Sequence, residues 1–135
     1  MKFSQNKRIT PKDRNAIKGA IRRAFARSEL RNKVINDAEV KHSDPKRPRV
    51  KRWVMCAICK KPEARSYMQA DHLEPLVKID SSLEDMTPNE LVHGTWCEEE
   101  NLQPVCVKCH KIKSLGEQQE RKRLKKLKKE SKSNG

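Results

Sequence analysis

Residues 101–114 read NLQPVCVKCHKIKS, and residues 56–59 read CAIC. Each stretch contains two cysteines separated by two residues, a spacing that lets one tight turn present two thiolates to the same metal ion. Two such pairs complete a tetrahedral zinc site. We therefore predict a structural zinc ion bound by the four paired cysteines, Cys56, Cys59, Cys106 and Cys109. The 46 residues between the pairs exceed the spacing of a compact zinc ribbon, so we expect a functional insertion there.

The composition of the chain favours a metal staple over a large core. Of the 135 residues, 34% are hydrophobic, 4% are aromatic and 37% are charged, and a small domain with few apolar residues gains little stability from its core alone. The sequence shows no apolar leader and no run of roughly 20 apolar residues. We expect a soluble, intracellular protein in the cytoplasm, with no membrane association. In that reducing compartment, cysteine pairs more often hold zinc than form disulfides.

The net charge of +14 is unevenly distributed. Residues 1–53 hold 17 basic and 5 acidic side chains, residues 54–116 hold 7 and 10, and residues 117–135 hold 8 and 3. Two cationic arms therefore flank a slightly acidic centre, where carboxylates could serve a metal ion. Basic arms of this kind favour binding to nucleic acid, because each Lys or Arg that meets a phosphate releases a counterion. The alternative is that the arms are solvated tails.

The first half of the chain predicts helices and then a linker. Residues 10–27 have a capping Thr10 and an apolar stripe at helical spacing, formed by Ala16, Ile17, Ala20, Ile21, Ala24 and Phe25. Ser28 is a candidate cap for a second helix. Residues 41–52 contain two prolines and six Lys or Arg residues, which predicts an extended basic linker. Residues 1–52 thus form a predicted N-terminal helical arm and linker.

The second half predicts the zinc domain and a basic tail. Residues 66–79 alternate as a strand that Pro75 interrupts, residues 82–97 are the best helix candidate of the insertion, and a basic helix follows His110. The fifth cysteine, Cys97, is interpreted as a small apolar packing residue. We predict a domain over residues 53–116 and a basic C-terminal tail over residues 117–135.

The order of these motifs resembles one enzyme family. ADHLEP at residues 70–75, followed by NLQPVCVKCHKIKS, is similar to the HNH endonucleases, and most closely to their small phage-type members with a four-cysteine zinc. The resemblance covers residues 53–114. It implies an α+β fold, a small zinc-stapled ββα-metal domain with an N-terminal helical arm and a basic C-terminal helix. It also implies metal-dependent hydrolysis of DNA phosphodiester bonds, by nicking or double-strand cleavage, which leaves 5′-phosphate and 3′-hydroxyl ends.

The same resemblance assigns the catalytic roles. Asp71 and His110 match the ligands of one catalytic divalent cation, which could be Mg²⁺, Mn²⁺, Ni²⁺ or Zn²⁺. His72 matches the general base, and Asn101 matches the residue that fixes the loop carrying that base. The implied partners are double-stranded DNA and, in a phage, packaging proteins such as a terminase, with the host cytoplasm as the location. The acidic run Glu98–Glu100 and Lys113–Ser114, where the family often has Lys-Thr, depart from the common form.

The chemistry of the residues agrees with these roles. An imidazole titrates near neutral pH and can accept a proton from water, and a carboxylate with an imidazole leaves cation positions open for phosphate. Adjacent residues of a strand point to opposite faces, so Asp71 and His72 can serve one site only where the strand bends or ends. Two other classes remain open. The chain could be a zinc-containing nucleic-acid-binding protein without catalysis, or, with less support, a redox protein that uses its cysteine pairs.

Overall fold

The computed structural model describes residues 1–76 and 82–133. Residues 77–79, the end of the strand predicted over residues 66–79, lie outside the described residues. The described α-helices are Pro11–Ala26 (α1), Glu29–Asn36 (α2), Pro88–Thr95 (α3) and Val107–Ser133 (α4). The described strands are Glu39–Val40 (β1), Trp53–Met55 (β2), Pro62–Ala64 (β3), Met68–His72 (β4) and Leu102–Cys106 (β5). The predicted α+β class is confirmed.

Two small antiparallel sheets organise the centre of the protein. One has the strand order β1-β2-β3, and the other is the pair β4-β5. In the second sheet Asp71 lies opposite Gln103, and His72 lies opposite Leu102. The last residue of β5, Cys106, is followed directly by the first residue of α4. Two paired strands therefore lead straight into a helix.

The two N-terminal helices begin where the capping residues predict. The hydroxyl oxygens of Thr10 and Ser28 each accept a backbone N–H three residues later, both at 3.1 Å. The predicted apolar stripe of α1 is only partly correct: Phe25 is buried and two isoleucines are half-buried, but Ala16, Ala20 and Ala24 are exposed. The helix therefore buries a narrower strip than its apolar spacing suggests, because the alanines turn towards solvent.

The core joins the helices to both sheets. Ile35 of α2 packs in one buried cluster with residues of β2, β4 and β5, which are Val54, Met68, Val105 and Cys106, and with Cys56 just after β2. A second cluster contains Phe25, Val34 and Leu102. The helices of residues 1–52 thus pack against the strands that follow rather than extending away from them.

One sequence expectation on a connecting segment needs correction. Residues 41–52 are not an extended linker, since they contain two hydrogen-bonded turns, Arg47 N–H to Asp44 O at 2.9 Å and Val50 N–H to Arg47 O at 3.2 Å. The basic helix predicted after His110 is present as part of α4, which runs through Gly116. The predicted helix within residues 82–97 is present as α3. Within the described residues, no helix combines the length and the apolar character needed to cross a membrane.

Replacing Ile35 by Ala should lower the free energy of unfolding by about 2–5 kcal/mol, since it leaves a cavity between α2 and the strands. The matched control is Ile112→Ala, because Ile112 is 70% exposed and Ile35 is 0% exposed; its effect should stay within about 0.5 kcal/mol. Urea denaturation of the two variants measures both values. Equal destabilisation would contradict the placement of α2 in the core.

Candidate functional site

The four paired cysteines converge on one point. Their sulfur atoms all lie within 4.8 Å of one another. Four sulfurs at about 2.3 Å from one zinc ion would lie about 3.8 Å apart, which is compatible with this spread. Within the part of the chain that the structure describes, this is the group of Cys, His, Asp and Glu side chains that could hold a metal ion such as zinc.

Local backbone geometry brings the two pairs together. After Cys59 the chain enters the left-handed region at Lys60, with φ of 59°, and the Lys60 N–H donates to the Cys56 carbonyl at 3.0 Å. The other pair lies where β5 ends and α4 begins. A backbone hydrogen bond of 2.8 Å from Ala57 N–H to the Pro104 carbonyl joins the two turns.

The thiols of the cluster differ in acidity. Burial raises the pKa of Cys56, but three backbone N–H groups outweigh burial and lower this pKa to about 6, namely those of Cys106, Cys59 and Ile58. The neighbouring thiol of Cys106, together with burial and the other two thiols, raises the pKa of Cys109 to about 12. Packing four thiols together thus opposes full ionisation, and a bound cation is what would remove that opposition.

A second polar cluster surrounds Asp71 on β4, which is 8% exposed. Its Oδ2 atom accepts a hydrogen bond from Gln103 Nε2 at 3.1 Å and one from Lys113 Nζ at 2.5 Å. Its Oδ1 atom lies 3.7 Å from His110 Nε2. The two carboxylate oxygens therefore have separate neighbours: one is held by two donors, and the other faces an imidazole.

Three elements build this cluster. The register of the β4–β5 pair places Gln103 directly opposite Asp71. His110 lies in the first turn of α4, and Lys113 lies three residues further along, so both point to the same side of the helix. Lys113 also donates to the His72 carbonyl at 2.6 Å, which ties α4 to the end of β4.

The imidazole of His72 lies on the other side of β4. Its Nε2 atom is 3.0 Å from the Thr95 carbonyl of α3, and its ring centroid is 5.5 Å from that of Phe25 in α1. A carbonyl oxygen only accepts, so Nε2 carries the proton and Nδ1 has the lone pair in the neutral ring. The side chain is half-buried.

Asn101 holds the segment that follows His72. Its Oδ1 atom accepts the Glu74 N–H at 3.1 Å, and its backbone carbonyl accepts the Leu73 N–H at 2.8 Å. Its Nδ2 atom donates to the Cys97 sulfur at 3.7 Å. Cys97 itself packs against the second core cluster, as predicted for a small apolar residue.

The structure thus brings some of the predicted site residues together and leaves others apart. Asp71 and His110 are neighbours, whereas the ring of His72 contacts a different set of elements. Gln103 and Lys113 were not predicted to contact Asp71. For Gln103 the signal is the alternation of side chains along two paired strands, and for Lys113 it is the helical spacing of three residues from His110.

Comparison with protein-family models, with curated proteins and with solved structures finds no match to this chain.

Replacing Cys106 by Ser should abolish zinc binding and unfold most of the domain, because metal binding free energy is folding free energy in small sites of this kind. Cys97→Ser is the matched control, since Cys97 lies outside the cluster, and it should keep one zinc ion per chain. Zinc content and circular dichroism measure the two effects. A folded Cys106→Ser protein that contains no zinc would contradict a structural role for the cluster.

Proposed function

We propose that this protein is a metal-dependent endonuclease of the HNH type that hydrolyses phosphodiester bonds of DNA. The observation that carries the proposal is the pair of Asp71 on β4 and His110 on α4, whose Oδ1 and Nε2 atoms are 3.7 Å apart. The strand pair β4–β5 leads directly into α4. A carboxylate and an imidazole converging from a hairpin and from the next helix fit the ββα arrangement that the sequence resemblance implies. The four-cysteine cluster beside them supports it.

The contacts of Asp71 define how the pair would hold a divalent cation. Gln103 and Lys113 occupy Oδ2, so Oδ1 remains for the cation together with His110 Nε2. Hydrogen bonds to the second oxygen fix the orientation of a metal-binding carboxylate. Two protein ligands leave several positions for water and phosphate, which suits Mg²⁺, Mn²⁺, Ni²⁺ or Zn²⁺. When bound, such a cation would stabilise the charge that develops on the phosphate.

His72 is the proposed general base. Its Nε2–H bond to the Thr95 carbonyl fixes the tautomer and leaves Nδ1 to accept a proton from water. β4 ends at His72, so the alternation of side chains no longer applies to the chain beyond it. The proposed role requires a DNA backbone that passes over this strand end and meets both His72 and the Asp71–His110 pair.

One observation favours the second candidate, a DNA-binding protein without catalysis. The Lys113 ammonium pairs with Asp71 at 2.5 Å, and this ion pair neutralises the charge of the carboxylate without any metal ion. In such a protein Asp71 would orient Lys113 towards a phosphate. The two candidates differ in whether a divalent cation at Asp71 and His110 has any effect on DNA.

Incubation of the protein with supercoiled plasmid tests the proposed function. We expect nicked or linear DNA when Mg²⁺, Mn²⁺, Ni²⁺ or Zn²⁺ is added and none with a chelator that spares the cysteine-bound metal. Asp71→Asn and His110→Ala should lose cleavage, and a higher metal concentration should partly restore His110→Ala. The matched control is His93→Ala, because His93 is exposed on α3 and should leave cleavage unchanged. A wild-type protein that binds plasmid and never cuts it would favour the second candidate.

His72→Ala should lower the cleavage rate by roughly 10²–10⁴-fold, the contribution of general-base catalysis. Because the base is not a metal ligand in this proposal, no metal concentration should restore the rate, whereas imidazole in the buffer should restore part of it. The variant loses the Thr95 contact, so thermal melting must show that it is folded. A folded His72→Ala protein that cuts at the wild-type rate would remove His72 from the reaction.

A further inference from the structure

Residues 41–52, which we name the basic loop, connect β1 to β2. The loop has six Lys or Arg side chains within twelve residues, at positions 41, 46, 47, 49, 51 and 52. Four of them, Lys41, Lys46, Arg49 and Lys51, are exposed without a carboxylate partner in the described part of the chain. Arg47 and Arg52 are paired with glutamates. Two of the six basic side chains thus form ion pairs, and the other four are exposed.

The backbone of the basic loop is ordered by local hydrogen bonds. The Asp44 side chain accepts the Lys46 N–H at 2.9 Å, and two successive turns follow within residues 44–50. Pro45 and Pro48 restrict the backbone of both turns. The loop therefore has a defined shape, unlike a solvated linker.

Arg47 anchors the loop to the first sheet. Its guanidinium carbon lies 5.2 Å from the ring centroid of Trp53 and 5.5 Å from that of Tyr67. Its NH1 atom lies 2.6 Å from Glu63 Oε1. A guanidinium between two aromatic rings and a carboxylate is an arrangement that a flexible ammonium does not reproduce. Arg47 is thus committed to holding the loop.

The anchor lies close to the start of α4. Burial raises the pKa of Glu63, but the Ala64 N–H, Arg47 and finally the positive charge of Lys108 lower it below its usual value. Lys108 belongs to the first turn of α4 and precedes His110 by two residues. The strands that hold Arg47 are joined by the Cys56–Cys59 turn, whose sulfur atoms lie within 4.8 Å of that of Cys109, the residue before His110. The basic loop is therefore fixed to the segment that also meets the start of α4.

An open recess lies at the base of the loop, where the chain leaves β1 and returns to β2. Its volume is about 250 Å³, and its lining includes Lys41, Lys51 and Arg52. Arg52 pairs with Glu39 at 2.5 Å. The unpaired basic side chains of the recess are therefore Lys41 and Lys51. Lys51 donates to the Pro48 carbonyl at 3.4 Å and keeps two further donors.

We propose that the basic loop is a contact surface for the phosphate backbone of double-stranded DNA, beside the phosphate held at Asp71 and His110. The contacts are Lys41, Lys46, Arg49 and Lys51, and Arg47 is a positioning residue. The choice of DNA rests on the proposed function. A loop that is already ordered loses less conformational entropy on binding than a flexible tail does, so its cations contribute more affinity for the same charge.

The test is the salt dependence of binding to a short DNA duplex, measured by fluorescence anisotropy without added divalent metal. The triple variant Lys46→Gln, Arg49→Gln, Lys51→Gln should reduce the slope of log affinity against log salt by about 2–3, since each lost phosphate contact contributes about 0.9. The matched control removes the same charge from exposed N-terminal positions, as Lys2→Gln, Lys7→Gln, Arg8→Gln. The slope of this control variant should change by less than about 0.9, the contribution of one phosphate contact.

Equal changes in the two triple variants would show an effect of net charge alone and overturn the proposal. A reduced slope on an RNA duplex with an unchanged slope on DNA would also overturn it. Arg47→Lys keeps the charge and removes the planar stack, so it should weaken binding with little change in slope, whereas wild-type affinity would overturn the anchoring role. Because the assay contains no divalent cation, these results do not depend on cleavage, and a plasmid that is bound but never cut would count against the proposed function only.

Discussion

The convergence of four cysteine sulfurs is the constraint on which the rest of the structure depends. It joins the turn after β2 to the junction of β5 and α4, two segments that the chain separates by the whole β4–α3 region. Cys109 and His110 are adjacent, so the position of one sulfur sets where the helix presents its imidazole. The backbone bond from Ala57 to Pro104 supports this junction, but four crowded thiols oppose their own ionisation without a cation. The sulfur cluster therefore also fixes the position at which α4 begins.

The β4–β5 register is the second requirement of the candidate site, and it explains the environment of Asp71. A carboxylate this far buried needs hydrogen-bond donors. Gln103 and Lys113 satisfy Oδ2, which leaves Oδ1 facing His110 at a distance too long for a hydrogen bond. The two oxygens of Asp71 therefore differ in their surroundings, and only Oδ2 is used in the ion pair with Lys113.

The sequence was sufficient for features that depend on local spacing and insufficient for those that depend on orientation. The cysteine pairs and the caps at Thr10 and Ser28 follow from short-range patterns, whereas the neighbourhood of Asp71 and His110 was implied only by the resemblance to the HNH endonucleases. The side of β4 on which the His72 ring lies was not predictable, because it is set by packing against Phe25 and by the Thr95 carbonyl, both distant in sequence. The same holds for the basic loop: its composition resembles a linker, and only the contacts of Arg47 with Trp53, Tyr67 and Glu63 give it a fixed place.

The basic loop and the cysteine cluster are both attached to β2 and β3. Trp53 and Glu63, which hold Arg47, lie on β2 and β3, and the Cys56–Cys59 turn connects these two strands. Loss of a metal ion held by the cysteine cluster would loosen that turn and, through it, the anchor of the loop and the start of α4. DNA contact through the loop and phosphate chemistry at Asp71 and His110 would then depend on the same few residues. Under the two proposals, both surfaces of this small and polar chain would be attached to the turn that carries Cys56 and Cys59, and neither would need a large hydrophobic core of its own.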